Sequence, residues 1–317
     1  MPPPPARHPK KSHEHTGRGT AGQYALIDQL RSHFPLTELC DALAVSRSGY
    51  HASRRRQPGP RARQQVVLLQ AIEKVRAHRH ARCYGSPRMT HQLRRQGHQV
   101  SENRVARLMR ANHLRARPRR PYRPKTTQPD HAACPSPNLL ASAPAPTAPG
   151  QQLVSDITYI PTAEGWLYLA LVVDRFSRSV FGWHLADSLH ADLVCHALDH
   201  AHRTGLIGPQ AIFHSDRGCQ YTAALLRGQL ARLGLRQSMS ARGHCYDNAM
   251  AESVFAALKA EALPPEQPFA SRALARSALF DYLETFYNRQ RLHSSLGYRP
   301  PREFLDLYFQ THPLALL

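Results

Sequence analysis

The chain is poor in the features that mark disulfide-rich, zinc-binding and membrane proteins. Its six cysteines are scattered singly without a C-x-x-C pair, which argues against a disulfide framework or a zinc ribbon and is typical of a reducing cytoplasm. The 20 histidines include no HExxH motif. The amino terminus, MPPPPARHPKK, lacks the apolar core of a signal peptide, and the longest apolar run, Leu167 to Val173, is too short to cross a bilayer. We therefore expect a soluble cytoplasmic protein.

Acidic residues are also scarce in the first half of the chain. Residues 1–150 contain 27 Lys and Arg but only 7 Asp and Glu, whereas residues 151–317 contain 15 of each kind. The whole formal excess of +20 therefore lies in the first half. A basic module joined to a neutral one indicates a part that binds a polyanion, attached to a part that works on it. A basic tail that only aids solubility is the alternative, but the charge also falls on helical patterns.

At 317 residues the chain is long enough for two or three domains, and the first of them is helical. Residues 1–20 hold too little apolar content to fold, so we expect a disordered tail there. Residues 24–60 show a helix, a short turn and a second helix that opens on a Ser46 cap. This is a helix-turn-helix outline, although any small helical hairpin looks similar.

Residues 61–117 predict a helix-turn-helix DNA-binding domain. One amphipathic helix is followed by a second that starts at Ser86, and a third carries Arg104, Arg107 and Arg110 at intervals of three residues. A stripe of guanidinium groups can contact phosphates and guanine edges in a major groove. An ordinary solvated helix face would show the same pattern, but the charge segregation favours DNA contact.

The second half reads as an α/β domain over residues 151–305, preceded by a basic, proline-rich linker at 118–150 and followed by a tail at 306–317. A three-strand meander is followed by alternating helices and short strands, which predicts a mixed five-strand sheet with helices on both faces. The strands are expected at 153–160, 166–174, 180–185, 211–215 and 236–239, and the helices at 192–204, 222–233, 248–262 and 272–287. We expect Trp166 and Trp183, on these strands, in the core.

Three acidic residues of this domain lie on or next to its predicted strands and helices. Asp156 lies in the first strand, Asp216 follows the fourth, and Glu252 lies in the first turns of a helix whose Lys259 points the same way two turns later. Carboxylates placed in this way can hold two divalent cations, and magnesium prefers such oxygen ligands. Two such cations activate an attacking oxygen and stabilise a leaving oxygen at a phosphodiester. Three surface acids can share this spacing by chance, so the neighbouring sequence has to support it.

The sequences around these acids resemble the catalytic core of DDE transposases and retroviral-type integrases. The matching segments are DITYI, GWLYLALVVDRFSR, HSDRGCQY, SARGHCYDNAMAES and YNRQRLHSSLGYRPP. With SRSGYH and YGSPRMTHQL upstream, the resemblance runs from about residue 36 to residue 304. The chain is most similar to the second-reading-frame product of bacterial insertion sequences, whose transposases are made by programmed frameshifting.

The resemblance implies a ribonuclease H-like core in which Asp156, Asp216 and Glu252 are catalytic and bind two Mg²⁺ (or Mn²⁺). Water, and later a 3′-hydroxyl, would attack DNA phosphodiesters in line, without a covalent protein–DNA intermediate. Lys259 matches a basic residue that contacts DNA in the family, and Asn248 lies in the matching CYDNA segment. The upstream helical units resemble those that recognise terminal inverted repeats.

The expected function is therefore metal-dependent 3′-end cleavage and strand transfer of an insertion sequence, in the cytoplasm and nucleoid of a bacterium. The implied partners are double-stranded DNA, as terminal repeats and target, further copies of the chain on paired ends, and an upstream-frame product as a fusion. Some positions depart from the family: Leu153 stands near a usual tryptophan, and Ala241 and His244 replace a usual arginine and asparagine. A DNA-binding regulator, an inactive remnant at the terminal repeats and a plain metal-dependent nuclease are the alternatives.

Overall fold

A computed structural model of the chain describes residues 19–55, 57, 59–116, 135–241, 249–264 and 267–313. Contacts group the chain into two compact units, residues 1–67 and residues 68–317. Most of the predicted amino-terminal tail (residues 1–20) and the first half of the predicted linker (residues 118–150) lie outside the described residues. The domain bounds given by the sequence stay a prediction. In the described part of the chain, no helix combines the length and apolar character needed to cross a bilayer.

The first unit contains helices packed on a small apolar core. These helices are α1 (Thr20–Leu30), α2 (Leu36–Ala42) and α3 (Arg47–Arg55). Tyr50 is 1% exposed, and its hydroxyl donates a 2.6 Å hydrogen bond to Asp28, so the ring and its polar tip are both satisfied. The predicted cap at Ser46 is confirmed, because its Oγ accepts a hydrogen bond from Gly49 N at 3.0 Å.

Helices also open the second unit. The unit begins inside α4 (Pro60–Ala77), whose first residues belong to the first unit, and continues with a 3₁₀ turn at Arg79–Cys83, α5 (Ser86–Arg95) and α6 (Glu102–Ala111). Met89, Leu93 and Val105 are fully buried where α5 packs on α6. The apolar residues of the sequence pattern therefore form the inner faces of a helix pair, as the helix-turn-helix prediction requires.

A mixed five-strand sheet follows, as predicted. Its strands are β1 (Gln152–Thr162), β2 (Gly165–Asp174), β3 (Val180–Ala186), β4 (Ile212–Ser215) and β5 (Arg236–Met239). The spatial order is β3-β2-β1-β4-β5. The first three strands form an antiparallel meander, and β4 and β5 add to it in parallel, next to β1. Parallel addition requires crossover connections, and helices fill them here.

Helices cover both faces of this sheet. They are α7 (Ala191–His202), α8 (Cys219–Thr222), α9 (Ala224–Arg232), α10 (Ala249–Glu261), α11 (Arg272–Phe280) and α12 (Pro301–Thr311). Alternate side chains of β2 enter two separate cores. Leu169, Leu171 and Val173 share one core with α4–α6, α10 and α11. Ala170 and Val172 share the other core with α7 and α9. The sheet is thus buried on both sides, which explains why its strands are so apolar.

Three details differ from the sequence predictions. Residues 306–311 were predicted as tail but continue α12, because Leu305 is buried and Phe309, one turn later, packs against the same core. The prediction of a core Trp166 is wrong: its ring is 43% exposed, since it lies beside the turn of the β1–β2 hairpin. The helix predicted to end at Tyr287 does so, but it widens into a π-helix over Asp281–Tyr287.

Candidate active site

Asp156 and Asp216 lie side by side at one edge of two neighbouring parallel strands. In the register of β1 and β4, Val154 pairs with His214. Asp156 comes two residues after Val154, and Asp216 comes two residues after His214, just past the end of β4. Because side chains in a strand repeat every second residue, this register sends both carboxylates to the same face of the sheet. The pairing of strands distant in sequence therefore brings together the first two predicted acids.

Glu252 approaches from a helix above the sheet. It lies in the first turn of α10, exposed to solvent, while Ala251, Val254 and Leu258 bury the opposite side of the helix. The helix contacts β1, the strand that carries Asp156. This packing holds the third acid over the pair of aspartates.

The electrostatics of Asp156 show that the other two acids act on it. Burial, followed by the neighbouring charges of Asp216 and Glu252, raises the pKa of Asp156 to about 8, against the favourable backbone hydrogen bond from Ile157 N at 2.8 Å. Lys259 opposes the rise through its positive charge. Burial lowers the pKa of Lys259 itself, and Asp156 partly restores it. Crowded carboxylates that disfavour their own ionisation are a marker of functional sites.

Tyr221 forms the floor beneath the two aspartates and was not singled out from the sequence. Its hydroxyl lies 3.0 Å from Ser155 Oγ, and its ring is 1% exposed. Burial, with the charges of Asp156 and Asp216, raises the pKa of Tyr221 well above its ordinary value, so the phenol stays neutral. Its position five residues after Asp216, in the same HSDRGCQY segment, was the available signal.

The loop that carries Asp216 is fixed by hydrogen bonds to β5 and the segment after it. His214 is fully buried and shares hydrogen bonds with Ser238 Oγ at 2.8 Å and Ser240 Oγ at 3.1 Å. Arg217 Nε donates to Ser240 O at 2.8 Å, and Gly218 N donates to Asp216 Oδ1 at 3.0 Å. His214 therefore has a hydrogen-bonding role that holds this loop.

The donor set fits a hard divalent cation. Asp216 and Glu252 add to the effect of burial in raising the pKa of Asp156, and a cation beside Asp156 would relieve that repulsion. In the described part of the chain, no three His, Cys, Asp or Glu side chains stand close enough to form a ready-made metal cage. The three acids are thus electrostatic neighbours without forming such a cage.

The predicted DNA-contacting residues lie in different places. Arg104, Arg107 and Arg110 are on α6, with Arg107 and Arg110 exposed and Arg104 half-buried. Lys259 is on α10 within electrostatic reach of Asp156, as its spacing from Glu252 predicted. Asn248 lies outside the described residues.

Three family models match the chain. Residues 63–122 match an HTH-like domain, and residues 146–245 and 233–301 match two integrase core domain models. The two integrase models together cover the sheet, the three acids and the helices around them.

Relatives match over nearly the full length. Transposase InsF for insertion sequence IS3A from Escherichia coli K12 is 38% identical over 288 residues, covering 89% of this chain and 98% of the relative. A 31 kDa protein of insertion element IS600 from Shigella sonnei is 39% identical over 272 residues, covering 86% and 99%. Among solved structures, the HTLV-2 integrase catalytic core domain in complex with magnesium has a TM-score of 0.39 at 13% identity, covering 50% of this chain and 97% of that one.

Proposed function

Because the chain belongs to the IS3 family of insertion-sequence transposases, with an HTH-like domain and a ribonuclease H-like integrase core, we propose that it cleaves the 3′ ends of an insertion sequence and joins them to target DNA. Such a protein is an enzyme of the polynucleotidyl transferase type. The observation that supports the proposed catalysis is the register of β1 and β4, which puts Asp156 and Asp216 on one face of the sheet. Glu252 is close enough to this pair to raise the pKa of Asp156.

Asp156, Asp216 and Glu252 are the proposed ligands of two Mg²⁺ (or Mn²⁺) in a DDE-type site. Such a pair of ions supplies an activated water or 3′-hydroxyl and a counter-charge for the leaving oxygen. The chain positions the ligands: the β-strands fix the two aspartates, and α10 brings Glu252. Tyr221 stays neutral beside the aspartates and adds no negative charge to the site. Lys259, whose positive charge acts on Asp156, is suited to hold a phosphate of the substrate strand at this site.

The DNA-binding parts complete the proposal. Arg104, Arg107 and Arg110 on α6 are the proposed contacts to the terminal inverted repeats, and Asn248 is a proposed contact near the scissile strand. Phosphate contacts by arginine hold the register of a protein on a duplex, and base contacts select the sequence. We further propose that several copies act on paired ends in the bacterial nucleoid, with an upstream-frame product as a possible fusion partner.

The test is a Mg²⁺-dependent reaction on labelled DNA that carries the sequences flanking the gene. We expect joined products from the wild-type chain and none from Glu252→Gln, while DNA binding by the variant is largely kept. Glu73→Gln, which removes the same charge from an exposed position on α4, is the matched control and should react like wild type. Joining by Glu252→Gln would contradict the acid assignment.

The same assay separates the alternatives. Cutting without joining would indicate a metal-dependent nuclease. Tight binding without cutting or joining would indicate a regulator or a remnant, or a chain that needs its upstream-frame product. Adding that product to the reaction distinguishes the last case.

A further inference from the structure

A second charged cavity lies on α10, away from the three acids. It has a volume of about 120 Å³, and its walls include Arg88 of α5, Ser253 of α10, Arg178, Arg291 and His293. In the described part of its lining, every charged side chain is basic and none is a carboxylate. We call this cavity the arginine pocket.

Within the described residues, Arg291 alone among the three arginines has a close acidic partner. Arg291 is 5% exposed and forms a two-point ion pair with Glu261, with Nε–Oε2 at 2.8 Å and Nη2–Oε1 at 2.9 Å. Tyr282 OH also donates to Glu261 Oε2 at 2.9 Å, so the carboxylate is largely occupied. Arg88 reaches Glu261 only at 3.8 Å. The charge of Glu261 is therefore used by Arg291, and the pocket keeps a net positive charge.

Arg88 carries a further sign of incomplete pairing. Its guanidinium lies over the Tyr84 ring, 5.1 Å from the ring centre. Its Nε atom is buried and has no hydrogen-bond partner in the described part of the chain. A buried N–H without an acceptor is costly, and an anion in the pocket would supply one.

His293 adds a donor rather than a charge. Arg291 Nη1 lies 3.3 Å from His293 Nε2, and because arginine can only donate, this nitrogen must accept. Burial and the nearby arginines lower the pKa of His293 to about 2, so the ring is neutral. The remaining hydrogen is then on Nδ1, so His293 lines the cavity as a neutral ring that keeps one N–H.

Arg178 is presented by an unusual turn. Its φ of 62° lies in the left-handed region, which is uncommon for a residue with a side chain. The turn is fixed by Asp174, whose Oδ2 accepts from Ser177 N at 2.8 Å and from Ser177 Oγ at 2.6 Å. Tyr287 OH donates to Arg178 O at 3.2 Å. An outlying backbone conformation held by so many contacts points to a function for the side chain it presents.

The pocket and the acid site lie on different flanks of one helix. At about 100° per residue, Ser253, Val254 and Ala257 of the pocket share one side of α10, whereas Glu252 and Lys259 share a side well away from it. With side chains the helix is about 10–12 Å across. Since successive phosphates of one strand advance by about 3.4 Å, that distance spans about three or four nucleotides.

We propose that the arginine pocket binds a backbone phosphate of the DNA, a few nucleotides from the bond that lies at the acids. The inference rests on the proposed function for the identity of its ligand, because DNA is the polyanion that function supplies. Guanidinium groups, a neutral imidazole N–H and serine hydroxyls match the several oxygens of a phosphate diester. Bound at this point, the strand is held on both sides of α10.

The test measures binding of the full-length chain to a labelled mixed-sequence duplex over a series of salt concentrations, in a metal chelator. We expect Arg178→Gln to weaken binding on the order of tenfold and to reduce the slope of log affinity against log salt by about 1. Arg178→Lys keeps the charge and should keep the slope. Ser294→Asp, at an exposed position on the pocket wall, should weaken binding at least as much as Arg178→Gln.

Arg232→Gln is the matched control, because Arg232 is exposed on α9, on the opposite face of the sheet. It should leave affinity and slope unchanged, and thermal unfolding of each variant checks its fold. Wild-type affinity and slope in both Arg178→Gln and Ser294→Asp would overturn the proposal, as would absence of duplex binding by the wild-type chain. Because no metal or joining step is involved, failure of the proposed catalysis leaves this measurement intact.

Discussion

Two aspartates of the second unit, Asp174 and Asp156, have opposite kinds of neighbours. Asp174 is fully buried, and the chain supplies its hydrogen-bond donors: Gly150 N at 3.0 Å, Ser177 N and Ser177 Oγ. At Asp156, the chain supplies one backbone donor and two further acids instead. The first arrangement stabilises the fold, and the second costs stability, as expected for the proposed cation site. Burial raises the pKa of both aspartates, so the partners, and not the shift, distinguish structure from function.

The largest expected effect concerns activity. Asp156→Asn should reduce strand joining by at least about 10²–10³-fold, the scale seen when one group that stabilises transition-state charge is lost. Its unfolding temperature should not fall, because the replacement removes a crowded charge. Joining measured with Mg²⁺, beside thermal unfolding in chelator, checks both parts. A variant that loses joining only because it has unfolded would break the comparison.

The reverse outcome is expected at Asp174. In Asp174→Asn the amide nitrogen cannot accept, so at least one of the donors from Gly150 and Ser177 is left unpaired in the interior. We expect a loss of about 2–3 kcal/mol in the free energy of unfolding, measured with urea. Joining by the folded fraction should remain readily detectable. Ser177→Ala, which removes one hydroxyl donor, is the milder companion variant and should cost about 1 kcal/mol.

The pH dependence of stability sharpens the comparison. The folded-state pKa of Asp156 is raised to about 8 from 3.8, so the folded chain holds this proton more tightly than the unfolded chain. Its stabilising contribution is complete below pH 3.8 and is lost as the pH rises towards 8. In chelator, Asp156→Asn should therefore gain about 1–2 kcal/mol over wild type between pH 5 and pH 8, a figure discounted because the side chain is partly exposed. An equal difference between the two proteins at both pH values would contradict this sign.

The smallest expected effect is stabilisation by metal. At a Mg²⁺ concentration about ten times the dissociation constant, the wild-type chain should gain about 1.4 kcal/mol of stability. Asp156→Asn should gain much less, whereas Asp174→Asn should respond like wild type from its lower baseline. Thermal unfolding at increasing Mg²⁺ measures all three. An equal gain of stability in Asp156→Asn would contradict binding of the cation at this site.

The sequence allowed much of the core to be predicted. Strands β2 and β3 begin and end within a residue of their predicted bounds, because apolar runs between turn residues give a strong local signal. The extension of α12 was missed because Leu305 and Phe309 look like isolated apolar residues until their partners on the sheet are known. The π-helix at Asp281–Tyr287 was missed because a widened turn leaves no period that differs clearly from an α-helix.

The candidate site divides in the same way. The three acids were found from local motifs, but their meeting depends on the pairing of Val154 with His214, which joins strands about 60 residues apart. The arginine pocket was not predicted: Arg88, Arg178 and Arg291 each lie in a family-like segment, but they are distant in sequence and converge only through tertiary packing. The acids could be found because each lies in a segment with a known chemical role, whereas nothing in the sequence said that the arginines meet.

Contacts between the helix-turn-helix segment and α10 fix the distance between the two. His80 Nδ1 donates to Glu261 O at 2.9 Å and Cys83 Sγ to Ala260 O at 3.3 Å, both in the last turn of α10, and the His91 ring stacks on Tyr298 at 3.7 Å. The helices proposed to read the element and the helix that bears Glu252 are thus joined by direct contacts. The number of base pairs from the recognised sequence to the cut is then set by the fold. With about 10–10.5 base pairs per turn, inserting five base pairs would turn the cleavage point to the far side of the duplex. Under the proposed function, an element that this protein cuts must keep its ends in phase with its repeats.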